Sequence, residues 1–169
     1  MSSSDQLSVL VAAIGNPDRG DDAVGPAVAR RLRARVPSGI SVLELGGDAL
    51  ALIEYWRGFS SVIIVDAVAP ITKPGQVHRL DLTNNPLPVT LAPRSTHALG
   101  LAETVELARS LGRLPLFIVA YLVEGEQFET GAPLSPAVAE AVEEAVERII
   151  LELSETPGTP QAEGTARRA

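Results

Sequence analysis

The stretch SVIIVDAVAPITKPGQVHRLDL, residues 61–82, decides the fold. Its first part, SVIIVDAV (61–68), is an apolar run rich in β-branched residues, which predicts a fully buried strand. GQVHRLDL (75–82) predicts another strand after only six intervening residues, which include Pro70 and Pro74. Because a parallel crossover needs about a dozen residues or more, we expect this fourth strand to run antiparallel to its neighbour.

Strands and helices alternate on the amino-terminal side of this stretch. The strands predicted there are LSVLVAAIG (7–15) and ISVLELG (40–46), and the helices are AVGPAVARRLRARV (23–36) and DALALIEYWRG (48–58). Asp48 is the expected N-cap of the second helix and Gly58 its stop. A βαβαβ order predicts a mostly parallel sheet with helices on both faces.

The carboxyl-terminal part continues the same pattern and then loses it. It contains HALGLAETVELARSLG (97–112) as a helix, LPLFIVAYLV (114–123) as the last strand and LSPAVAEAVEEAVERIILEL (134–153) as a long helix. Ser135 is the expected cap of the long helix, with Pro136 at its first position. Residues 154–169 show no periodicity, so we predict one α/β domain over residues 1–153 followed by a disordered tail.

Composition excludes several classes of protein. The net charge of −7 argues against nucleic-acid binding, which needs a basic surface. The absence of cysteine excludes disulfides, thiolate metal sites and a cysteine nucleophile. We find no signal peptide and no apolar run of roughly 20 residues, so we expect a cytoplasmic protein that does not contact membranes.

Acidic side chains and one histidine gather where the predicted strands end. Asp21 and Asp22 follow the first strand, Asp66 follows VIIV in the third, and His97 opens a helix after a long loop. Ligands of open α/β sheets bind outside the carboxyl ends of the strands, so these side chains can converge there. Each also has a plainer interpretation, as a helix cap for the acids and as a backbone-bonded residue for His97. His78, inside a strand, is expected to be structural.

Asp66 carries the strongest local signal, because a charge beside a buried strand is costly unless it is paired or coordinated. Two carboxylates and one imidazole form a reasonable set of ligands for a divalent metal such as Zn, Ni, Fe or Mn. Calcium prefers more oxygen donors.

Three motifs resemble those of the hydrogenase maturation endopeptidases, which process the large subunit of [NiFe] hydrogenases. They are IGNPDRGDDAVG (14–25), VIIVDAV (62–68) and STHALGL (95–101), and residues 130–149 are similar to the family's C-terminal helix region. The resemblance covers about residues 8–153. It implies a three-layer α/β/α fold of the phosphorylase/hydrolase type, with a twisted, mostly parallel five-stranded sheet that contains one antiparallel strand.

The resemblance also implies a reaction and its residues. Asp22, Asp66 and His97 are expected to be both the catalytic residues and the metal contacts. The metal is expected to be nickel already held by the large-subunit precursor, although another divalent ion can take its place. The enzyme is then an endopeptidase that cuts a C-terminal extension from that precursor. A monomer is the expected state of a processing enzyme that meets a large precursor.

Two alternatives remain open at this point. The chain has Ala13 and Ala23 where the family usually has glycine, and residues 120–131 lack an expected Gly-x-x-Pro element, so an inactive relative is possible. A receiver-like domain phosphorylated on Asp66 is the alternative from another class. Against it, the acid pair lies about six residues beyond Gly15, and Lys73 is the only lysine in the chain.

Overall fold

A five-stranded mixed sheet runs through the centre of the protein, in a computed structural model that describes residues 8–91, 100–157 and 159. The strands are β1 (Val9–Ile14), β2 (Ile40–Leu45), β3 (Ser61–Val68), β4 (Val77–Asp81) and β5 (Phe117–Glu124), in the spatial order β2-β1-β3-β5-β4. All neighbouring pairs are parallel except β4 with β5, which is antiparallel. The prediction of a mostly parallel sheet with one antiparallel strand is confirmed.

Helices cover both faces of this sheet. In the described part of the chain they are α1 (Val24–Arg33), α2 (Leu52–Tyr55), α3 (Leu101–Ser110) and α4 (Pro136–Glu155). Alternating side chains of β1 enter two separate cores: Val9 and Val11 pack with α1 and α4, whereas Leu10 and Ala12 pack with α2 and α3. Each fully buried Val or Leu contributes about 1.5–3 kcal/mol, so the two cores hold the three predicted layers together.

The ends of several elements differ from the sequence prediction. Residues 48–58 form a 3-10 turn (Ala49–Ala51) followed by the short α2, and Asp48 caps the turn as predicted, because its Oδ1 accepts the N–H of Leu50 at 3.1 Å. The last strand begins only at Phe117, since Pro115 has no N–H to donate to a neighbouring strand.

Some predictions fall on residues that the structure does not describe. The predicted helix 97–112 is observed from Leu101, and its first three residues lie outside the described part. The same is true of residues 158 and 160–169 in the predicted tail, while α4 continues to Glu155. No helix among the described residues has both the length and the apolar composition to cross a membrane.

Candidate active site

Asp66 lies near the end of β3, directly after the apolar run 62–65, and is only 7% exposed. Its Oδ1 accepts the backbone N–H of Ala67 at 2.8 Å. Burial raises the pKa of this carboxyl well above its usual value, the hydrogen bond from Ala67 opposes that rise, and the charge of Asp22 adds to it. The ionised form of Asp66 is therefore disfavoured, and a nearby cation would stabilise it.

Asp22 is positioned by the loop that follows β1. It belongs to a 3-10 turn, Gly20–Ala23, which passes close to the end of the strand. Gly15 has a φ of 139°, and a Cβ there would stand 2.0 Å from the carbonyl oxygen of Asp22, so only glycine allows this approach. The Oδ2 of Asp22 accepts the N–H of Asn16 at 2.8 Å, which fixes the carboxylate beside the end of β1.

The structure brings these two acids to one edge of the sheet. Strands β1 and β3 are parallel neighbours, with Ala13 paired to Val65, so their carboxyl ends meet. Asp22 is close enough for its charge to raise the pKa of Asp66. Two carboxylates in such proximity repel each other without a cation between them, and their oxygens suit a divalent ion.

His97, the third predicted ligand, lies outside the described residues. Among the residues that are described, no three His, Cys, Asp or Glu side chains form a group that could hold a metal ion. Asp22 and Asp66 are thus a pair, and a third His, Cys, Asp or Glu ligand at this edge would have to come from beyond the described ranges.

Asp21 has a different role from its neighbour Asp22, because it is fully buried and ties two distant segments together. Its Oδ2 accepts the N–H groups of Glu126 at 2.8 Å and Gln127 at 3.1 Å. The N–H and hydroxyl of Ser135 donate to Oδ1 and Oδ2 at 2.7 and 2.9 Å. Ser135 occupies the N-cap position of α4 as predicted, but its side chain makes no cap bond. Asp21 therefore acts as a structural link between the first loop and α4.

A further buried acid, Glu124, ends β5 and is absent from the predicted site residues. Its carboxylate contacts three consecutive backbone N–H groups and two side chains: Ile71, Thr72 and Lys73 N–H at 2.8, 2.8 and 2.9 Å, Thr72 Oγ1 at 3.0 Å and His78 Nε2 at 2.7 Å. The signal that singles out Asp66, an acid at the end of an apolar strand, is also present here in IVAYLVE (118–124).

Comparison with known proteins identifies the family of the chain. The family model described as hydrogenase maturation protease (HycI) matches residues 26–152. The chain belongs to the hydrogenase maturation protease family. Membership of this family excludes the receiver-like alternative, and the antiparallel pairing of β4 with β5 is consistent with that conclusion.

Individual maturation proteases are similar to this chain over nearly their whole length. Hydrogenase 2 maturation protease of Escherichia coli (strain K12) is 27% identical over 154 residues, covering 89% of this chain and 93% of that protein. The structure of the E. coli hydrogenase maturating endopeptidase HybD has a TM-score of 0.71 at 25% identity, covering 88% of this chain and 93% of that one. For the [NiFe] hydrogenase maturation protease HycI from Thermococcus kodakarensis KOD1 the TM-score is 0.69 at 25% identity, with coverages of 87% and 92%.

Acid should weaken the fold of this maturation protease through Glu124. Burial alone would raise the pKa of Glu124, but hydrogen bonds from Ile71, His78 and Thr72 lower it from 4.5 to about 2. Because the folded value lies below the unfolded one, Glu124 stabilises the fold above about pH 4.5, and this contribution is lost as the pH falls toward about 2.

We expect Glu124→Gln to lower the free energy of unfolding by about 3 kcal/mol at neutral pH. The difference between parent and variant should shrink as the pH is lowered through this window. Urea unfolding over a series of pH values measures both effects, and a difference that stays constant down to the acid end would contradict the assignment.

Proposed function

We propose that this protease removes a C-terminal extension from the nickel-loaded large-subunit precursor of a [NiFe] hydrogenase. Asp22, Asp66 and His97 are the catalytic residues in this proposal, and they contact the nickel that the precursor carries. The observation that supports it most is the buried Asp66, whose ionised form is disfavoured by burial and by the charge of Asp22.

The chemistry follows from the donor atoms. Asp22 and Asp66 offer carboxylate oxygens at the end of two parallel strands, which leaves positions open for the scissile carbonyl or a water molecule. A divalent ion held there polarises the carbonyl or lowers the pKa of the water. Nickel is part of the substrate in this proposal rather than a resident cofactor, and another divalent ion can replace it.

His97 is proposed as the nitrogen donor. The motif that contains it, STHALGL (95–101), leads directly into α3, and Leu101 shares a core cluster with Ile64, two residues before Asp66 on the same face of β3. At most about 14 Å of extended chain separates His97 from Leu101, which is compatible with this proposal. An imidazole must be neutral to bind a metal, so cleavage should fall at acid pH.

We further propose that the enzyme works as a monomer in the cytoplasm, with the precursor as its partner. The net charge of −7 favours a protein partner over nucleic acid.

The proposal is tested by mixing the wild-type chain with candidate precursors that have or have not been loaded with nickel. Intact-mass measurement should show loss of a C-terminal fragment from the loaded precursor alone, while a mature subunit without the extension stays unchanged. Equal cleavage without nickel would refute recognition through the metal. If no precursor is cut, the chain is the inactive relative and the proposed activity is wrong.

A further inference from the structure

The turn that follows β3 exposes an apolar side chain at the edge of the sheet that carries Asp66. Ile71 is 50% exposed and lies five residues after Asp66 in the chain. Five residues span at most about 17 Å, so a short extended peptide bound at Asp66 can reach Ile71. Isolated exposed apolar residues are common, and position alone gives Ile71 no role.

A buried charge makes this turn unusual. Glu124 is fully buried, and its Oε2 accepts the N–H groups of residues 71, 72 and 73. The main chain at the ends of β3 and β5 is fixed as well. The N–H of Gly75 donates to the carbonyl of Glu124 at 2.7 Å, and the N–H of Gly125 donates to the carbonyl of Val68 at 2.9 Å. Burial of a carboxylate is costly, and here that carboxylate fixes a turn at the surface.

The same turn is also packed against α4. Gly75 has a φ of 85°, and a Cβ there would stand 2.7 Å from the carbonyl oxygen of Ala137, in the first turn of that helix. The backbone beneath Ile71 is thus held from two sides. An apolar side chain displayed on such a backbone loses little further freedom when it makes a contact.

We propose that Ile71 is a specificity-determining residue that contacts the precursor polypeptide beside its scissile bond, and that Glu124 is the residue that positions it. The inference rests on the proposed function. The expected occupant is an apolar side chain of the precursor within about five residues of the cleaved bond, because the exposed surface of Ile71 is hydrocarbon and its reach from Asp66 is limited.

Steady-state kinetics with the nickel-loaded precursor separate this role from a purely structural one. Ile71→Ser leaves the backbone bonds to Glu124 in place, and we expect it to raise KM about tenfold while kcat stays within about twofold. Ile71→Val keeps an apolar side chain at this position, so its KM should stay close to that of the wild type. Leu151→Ser is the matched control, because Leu151 is 64% exposed on α4, and it should change neither constant.

Glu124→Gln should also raise KM. If Glu124→Gln does not fold, the kinetics of Ile71→Ser alone test the inference. An unchanged KM for Ile71→Ser in an assay where the wild type is active overturns the inference and leaves the proposed function standing. An equal rise in KM for Leu151→Ser overturns it too, since the effect is then not local. A wild-type chain that neither binds nor cuts the precursor overturns the proposed function and the inference together.

Discussion

Replacement of Asp66 by asparagine should slow cleavage of the nickel-loaded precursor by about 10³-fold. The amide has nearly the shape of the carboxylate, and its oxygen can still accept the N–H of Ala67, so the variant loses charge and little else. In the proposed mechanism this charge helps to hold the divalent ion between Asp66 and Asp22. Initial rates followed by intact-mass measurement give the size of the loss.

The same substitution should not weaken the fold. Because burial raises the folded-state pKa of Asp66 above its unfolded value, its ionisation makes the protein less stable as the pH rises through that range. Asparagine does not ionise, so the variant avoids this destabilisation. We therefore expect a free energy of unfolding equal to that of the parent or about 1 kcal/mol higher at neutral pH. Urea unfolding of both proteins at one pH measures the difference.

Asp18→Asn is the control, because Asp18 is an exposed acid in the same loop as Asp22 and should keep the parental rate. Full activity in Asp66→Asn would remove Asp66 from the reaction. If Asp22→Ala and His97→Ala were fully active as well, the whole assignment of the site would be wrong.

The fold could be predicted because its determinants are local in sequence. The apolar run of β3 and its short connection to β4, eight residues (69–76) in the structure, are enough to place an antiparallel strand in a parallel sheet. The position of Asp66 at the candidate site follows from a general rule about the carboxyl ends of parallel strands. Both inferences can be made without knowledge of which side chains are in contact.

The roles of Asp21 and Glu124 could not be predicted in the same way. Asp21 binds Glu126 and Ser135, which are 105 and 114 residues away, and nothing in GDDAVG indicates those partners. Glu124 holds a turn more than 50 residues earlier in the chain. Adjacent acids such as Asp21 and Asp22 look alike in sequence, and only the packing around them assigns one to the structure and leaves the other for the candidate site.

Asp21→Ala should therefore cause the largest loss of stability among the substitutions considered. It removes the acceptor of hydrogen bonds from Glu126, Gln127 and both donors of Ser135. Buried donors left without a partner each cost about 1–3 kcal/mol, and shared relaxation limits the sum, so we expect a loss of about 4 kcal/mol or more. Asp21→Asn keeps one acceptor oxygen and should lose about half as much.

Asp22→Ala is the matched control for this prediction, since Asp22 is the next residue, is only half-buried and accepts one N–H within the described part of the chain, from Asn16. It should lose about 1 kcal/mol or less. Cleavage of the precursor should show the opposite order: it is abolished in Asp22→Ala, whereas any Asp21→Asn that remains folded should keep most of its activity. A stable Asp21→Ala, or an Asp22→Ala that unfolds while Asp21→Ala does not, would show that the two roles have been assigned to the wrong residues.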